Sequence, residues 1–243
     1  MQTEDMAWPH GEIEMIFPEI FMVTGTNKTH YDGIDFQTSR NMIIVRCNGE
    51  LSLINTVRLN EKGLHQLEAL GTIAHVVRIG AFHGRDDGFY LERYPEAKFW
   101  ALKHMEHAPG VKPDFEMTPD GDMPFENVSL FLFDLEAHVE AVLYLKLHGG
   151  ILITCDSIQN LDHVDSYFSA ETGKMFLEQG LIKEANIPET WIKACEPKVE
   201  DFQKLMAFNF KHLITAHGPV IKNDAKTLIK KNDYLKNEKR SFL

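Results

Sequence analysis

Cysteine is scarce in this chain. Cys47, Cys155 and Cys195 are odd in number, widely spaced and form no C-x-x-C pair. That pattern gives neither a disulfide framework nor a thiolate zinc site, and it fits a reducing compartment. Long apolar runs are missing as well: none approaches the roughly 18 residues of a membrane span. The opening MQTEDMAWPHGE has no basic start followed by an apolar stretch, so no signal peptide is visible. A soluble, cytoplasmic protein without a membrane partner is the expectation. There is no Gly-rich phosphate loop. Ser157 lies in no G-x-S-x-G and has no His or Asp partner at readable spacing, which leaves serine catalysis without a basis. Positive charge is in deficit, 25 Lys and Arg against 36 Asp and Glu for a net charge of −11. Such a surface repels phosphate backbones, so nucleic acid is not an expected partner. The Lys-rich stretch IKNDAKTLIKKNDYLKNEKR is a local exception and reads as the solvated face of a terminal helix.

What remains is ordinary globular composition, 44% hydrophobic and 25% charged over 243 residues, enough for a substantial core. No repeat, low-complexity tract or linker divides the chain, which reads as a single domain over 1–243. Strand-like EIEMIF and IFMVTG come first, then a polar, loop-like stretch from Thr26 to Arg40. NMIIVRC and ELSLINTV follow, joined by Asn48-Gly49, a hairpin signal because both turn positions want positive φ. Asn60 caps a helix, EKGLHQLEAL, closed by Gly71. The strand IAHVVRI, the loop GAFHGRDD, a helix through FYLERY and the strand AKFWAL complete the first half. Residues 105 to 127 are loop-like. Strands VSLFLF, EAVLYLKL and ILITC open the second half, helical segments dominate from Leu161 to Phe208, and HLITA precedes a terminal helix. Strands followed by helices, twice over, predict two α/β halves with packed sheets and outer helices.

Four polar residues stand just past, or between, the apolar runs: His83, His138, Asp156 and His217. A buried strand ends where polar groups reach the rim of its sheet. Imidazoles and a carboxylate delivered to several strand ends converge on one edge, which is how a divalent metal site is assembled from distant residues. Each has a plainer reading: a core histidine for His83, a helix N-cap for Asp156, a turn histidine for His217.

Together these residues resemble the metallo-β-lactamase fold superfamily over roughly residues 15 to 222. HVEAVLYLKLHGGILITCDS is similar to the segment in which a metal-binding His precedes a hairpin and the next strand ends in Asp. ITAHGPV resembles the later strand ending in His-Gly. NMIIVRCNGELSLINTV, LHQLEALG and YPEAKFWA resemble the early core. The resemblance implies a four-layer αββα sandwich with a metal site at one edge of its two sheets. It departs at the signature loop, H-x-H-x-D-H, where this chain has AFHGRD. Only His83 matches, in the second His position. Ala81, Arg85 and Asp86 replace the first His, the Asp and the last His, and a one-residue slip would bring in Asp87. The two-metal site is therefore in question.

Among secondary candidates, Asp86 is a replacement catalytic or metal-binding carboxylate, with a helix N-cap as its alternative. Arg85 could bind an anionic substrate, and His163 could face the pocket. His30 and Tyr31 lie in the polar stretch where the family often has a loop over the site. His104 and His107 form an H-x-x-H pair with no third ligand nearby.

Two functions follow. The first is a metal-dependent hydrolase with one divalent ion, zinc in the first instance with none or two left open, held by His83, His138, Asp156 and His217. It would act on a small-molecule ester, lactone, thioester or similar bond. The second, motivated by the lost signature motif, is a binding or scaffold protein that keeps the fold without the chemistry, its His and Asp residues forming pocket walls or holding a metal structurally. Arg85 filling the second metal's space and pairing with Asp156 would favour it. A homo-oligomer is compatible with either.

Overall fold

The computed structural model describes residues 7–31, 33–135 and 137–236. Its strands and helices run in the order β1 (Glu14–Phe17), β2 (Ile20–Tyr31), β3 (Ile34–Cys47), β4 (Glu50–Ile54), α1 (Glu61–Leu70), β5 (Thr72–Val77), α2 (Asp87–Arg93), β6 (Lys98–Ala101) and β7 (Phe115–Glu116). The second half comprises β8 (Val128–Leu132), β9 (Ala141–Leu145), β10 (Ile151–Thr154), β11 (Gln159–Leu161), α3 (Ala170–Glu178), β12 (Lys183–Asn186), α4 (Glu189–Cys195), α5 (Val199–Leu205), β13 (His212–Thr215), α6 (Ala225–Ile229) and α7 (Asp233–Lys236). Strands β1 to β7 form one sheet in sequence order, and β13-β10-β9-β8 form a second. A small β11-β12 pair sits within the stretch read as helical.

Period-two alternation explains the layering. On β10, Ile151 and Ile153 join the core shared with the first sheet, while Leu152 faces the outer helices. On β9, Leu143 and Leu145 point inward and Val142 outward. Trp191, Phe202 and Leu205 of α4 and α5 cover that outer face, and Leu64 and Leu67 of α1 pack with the first sheet. Unbroken apolar runs are what a strand buried on both faces requires. The result is the predicted αββα arrangement.

Three local outcomes differ from, or sharpen, the sequence reading. Asn48 and Gly49 take φ of 53° and 81°, as a tight hairpin turn demands. Gly71 ends α1 in extended backbone, φ 161°, not in the left-handed conformation of a glycine cap. Glycine is needed there because any Cβ would overlap the carbonyl oxygen of Gly49. The polar stretch from Thr26 to Arg40 is no loop. β2 and β3 pair antiparallel from Ile20↔Val45 out to Tyr31↔Ile34, an arm of alternating residues in which Thr, Phe and Ile suit a strand despite their polar neighbours.

Candidate metal centre

Register delivers two of the predicted residues to one edge. β10 and β13 are parallel neighbours with Thr154 opposite Thr215, so Asp156 and His217 leave the sheet at the same level, two residues further on. The end of β5 reaches them from the other sheet. Ala81 donates its N–H to Val139 O at 3.1 Å, and Ala141 donates to Ile79 O at 2.8 Å. This short antiparallel bridge joins the sheets beside the loop that carries His83.

His83, Asp156 and His217 meet. Nε2 of His83 lies 3.2 Å from Nε2 of His217 and 3.4 Å from Asp156 Oδ2. Nε2 of His217 lies 3.2 Å from Asp156 Oδ1. Ligands of a tetrahedral divalent ion such as zinc, each about 2.0–2.2 Å from the metal, stand about 3.3–3.6 Å from one another. Three donor atoms spaced in this way fit one cation, and imidazole with carboxylate is a suitable donor set.

The protonation states fit as well. His217 Nδ1 lies 2.7 Å from the carbonyl oxygen of Ser39. A carbonyl can only accept, so Nδ1 carries a proton, and Nε2 is the atom that faces Asp156 and would face a cation. Burial pushes the His83 imidazole toward neutrality, against the attraction of Asp156. Asp156 is held well below the usual carboxylate range: burial would raise it, but the charge of His83 and hydrogen bonds from both imidazoles prevail. An ionised carboxylate is a form that binds a metal, and a cation binding here would displace any proton held by the imidazole nitrogens that face it. His83 Nδ1 is buried without a hydrogen-bond partner, so this ring lacks the orienting bond that His217 has.

Several supporting residues escaped the sequence reading. Asn41 donates through Nδ2 to Thr215 O at 2.9 Å and Gly218 O at 2.7 Å, clamping both sides of His217. Glu140 is fully buried behind Asp156. It accepts the N–H groups of Asp156 at 3.2 Å and Ser157 at 2.8 Å, and the indole N–H of Trp191 at 2.9 Å. Burial, with Asp156 nearby, pushes its carboxyl up to about 8. The rule that singled out Asp156, a carboxylate against an apolar run, applies equally to Glu140 before AVLYL. Arg78 holds the His83 loop, donating to Gly80 O at 3.2 Å and to Ala81 O at 2.5 Å.

Not every predicted residue joins the triad. His138 is exposed, its backbone is left-handed at φ 53° and its ring lies against Phe82, 4.8 Å between centroids. The quartet is thus reduced to a triad, because the turn into β9 sends this imidazole to solvent. Asp156 does not cap a helix; bends lead from it into β11. Asp86 stands at the N-cap of α2 without capping it. Its carboxylate instead accepts from Arg40 at 3.2 Å and from the N–H of Arg58 at 3.1 Å. Asp87 is buried and accepts from Thr56 Oγ1 at 2.7 Å, and burial raises its carboxyl. Arg85 is exposed, and no ion pair joins it to Asp156 among the described residues. His163 is exposed and pairs with Asp162, while His30 pairs with Asp35 on the β2-β3 arm. His107 packs on Phe99 beside Arg78, apart from the triad. A groove of about 1300 Å³ between β12, α4, α5 and α7 shares no lining residue with the triad.

Arg40 is almost wholly buried, and its guanidinium also donates to Thr56 O at 2.8 Å. It neutralises Asp86, three residues beyond His83. Arg40→Lys keeps the charge but cannot span both acceptors. A loss of about 1–2 kcal/mol is expected, read as a lower urea midpoint; an unchanged midpoint would refute this role.

No protein-family model matches the chain, and no curated protein matches it. Solved structures do. The DIM-1 metallo-β-lactamase exposed to ceftazidime superposes with a TM-score of 0.58 at 15% identity, over 93% of this chain and 99% of that one. The FIM-1 metallo-β-lactamase from Pseudomonas aeruginosa in its mono-zinc form gives 0.56 at 17% identity, over 94% and 96%. A metallo-β-lactamase from Erythrobacter litoralis gives 0.54 at 14% identity, over 91% and 92%.

Proposed function

We propose that this chain, which has the metallo-β-lactamase fold, is a metal-dependent hydrolase of small molecules with one divalent cation, zinc in the first instance. His83, Asp156 and His217 would hold it. The observation that carries this reading is the spacing of their donor atoms, 3.2 to 3.4 Å in every pair. When bound, the cation supplies Lewis acidity and lowers the pKa of a water toward neutrality.

The chain's own residues do the rest. Ser39 fixes the tautomer and angle of His217, and Asn41 immobilises the backbone on both sides of it. Glu140 holds the Asp156 turn through two backbone N–H groups. Asp156, the proposed catalytic carboxylate, can orient a nucleophilic water and accept its proton at Oδ1 or Oδ2. Esters, lactones and thioesters are the substrate classes this chemistry serves. A single cation is favoured because, of the two carboxylates that follow His83, Asp86 is already paired with Arg40 and Asp87 accepts from Thr56.

The binding or scaffold alternative keeps its motive, the altered signature loop, although no ion pair joins Arg85 to Asp156 among the described residues. Elemental analysis of protein purified with zinc supplied should give close to one equivalent. Well under one equivalent, with manganese also tried, sinks the proposal.

A further inference from the structure

We infer that Cys155 is a fourth protein ligand of this cation, approaching from the buried side and selecting a borderline-soft ion, zinc or cobalt, over magnesium or manganese. The inference rests on the metal reading above and extends it to a residue outside the triad. Its ground is a second donor cluster. A ligand atom from each of His83, Cys155 and Asp156 lies within 4.8 Å of the others. That set shares His83 and Asp156 with the first triad, which puts the sulfur beside the same two donors.

Cys155 is fully buried and extends the inward row of Ile151 and Ile153 on β10. Its Sγ lies 3.4 Å from Asp156 Oδ2. Ligands of one tetrahedral zinc, with Zn–S about 2.3 Å and Zn–O about 2.1 Å, stand about 3.6 Å apart. The His83 loop is built around this sulfur: a Cβ on Gly80 would overlap Cys155 Sγ. Asp156 and His217 keep some solvent exposure, 12% and 15% of their side chains, so with a thiolate below, water would reach the cation from this side as a fifth ligand. On binding, the thiol loses its proton to solvent and a metal–sulfur bond forms, with no change of oxidation state. Thiolate favours zinc and cobalt, whereas a purely oxygen and nitrogen set discriminates less.

Cobalt(II) titration of the full-length, metal-free protein tests this by absorbance. One equivalent should bring both visible bands and a thiolate-to-cobalt charge-transfer band in the near ultraviolet. Cys155→Ser and Cys155→Ala should abolish the ultraviolet band and weaken zinc binding about 100-fold, with manganese binding little changed. Cys195→Ser and Cys47→Ser should keep the band, which isolates Cys155 even if its own variants fold poorly. One equivalent of cobalt without the ultraviolet band overturns the inference and leaves the metal reading standing. A band that persists in both Cys155 variants also overturns it. No cobalt uptake at all overturns both.

Discussion

Replacing Asp156 by alanine is expected to abolish stoichiometric zinc binding and lower hydrolysis on the order of 10³-fold, the scale of several kcal/mol of lost transition-state stabilisation. The fold should survive. Asp156 lies beyond the end of β10, and its backbone N–H, not its side chain, makes the bond to Glu140. Thermal melting separates the two effects. Zinc at 100 times its dissociation constant stabilises the native state by about 2.7 kcal/mol, roughly 5–11 °C for a chain of this size. Wild-type protein should show that shift and Asp156→Ala should not, with matching circular dichroism. Asp156→Asn keeps the shape but loses the charge, and should fall close to alanine. Undiminished hydrolysis in either variant would place the chemistry elsewhere. A protein inactive on every ester, lactone and thioester tried, yet stabilised by zinc, would favour the scaffold alternative.

The strand ends were readable because burial imposes a simple rule. An apolar run can stop only where polar groups reach an edge, so ILITC-Asp156 and HLITA-His217 announced both the strands and their rim. Parallel pairing then put Asp156 and His217 at one level, something the sequence could suggest only through a family resemblance. His138 followed the same rule and went astray. It stands three residues before β9 in irregular backbone, where alternation no longer tells inside from outside. Glu140 was hidden by the same uncertainty. Arg40 was hidden for a different reason: read as the end of a polar loop, it belongs to β3, whose pairing continues well past its apolar part. Long-range bonds such as Asn41 to Gly218 leave no local pattern. The double role of Ser39, orienting His217 through a carbonyl, depends on backbone alone and is invisible to residue type.

Glu140 offers the sharpest stability test. Its carboxylate receives three buried donors, and Glu140→Ala leaves all three without an acceptor. At about 1–3 kcal/mol for each orphaned group, partly relieved by water entering the space, a loss of about 3–6 kcal/mol is expected in urea unfolding. Glu140→Gln keeps the volume but turns an amide toward one donor, so it should cost about 1–3 kcal/mol in acid. Its cost should also depend on pH. The folded-state carboxyl titrates at about 8 against an ordinary value of 4.5. Between those values the native state holds a proton that the unfolded state has released, so native stability falls as pH rises. One group sets that slope at no more than about 1.4 kcal/mol per pH unit. Glutamine does not titrate, so the advantage of wild type over Glu140→Gln should be largest near pH 5, vanish about one to two pH units higher and reverse toward pH 8. The measurement belongs in chelator, because a cation at Asp156 would favour the ionised Glu140 and flatten the trend. A gap independent of pH would mean that Glu140 stays ionised throughout, its three donors outweighing burial and the neighbouring charge of Asp156.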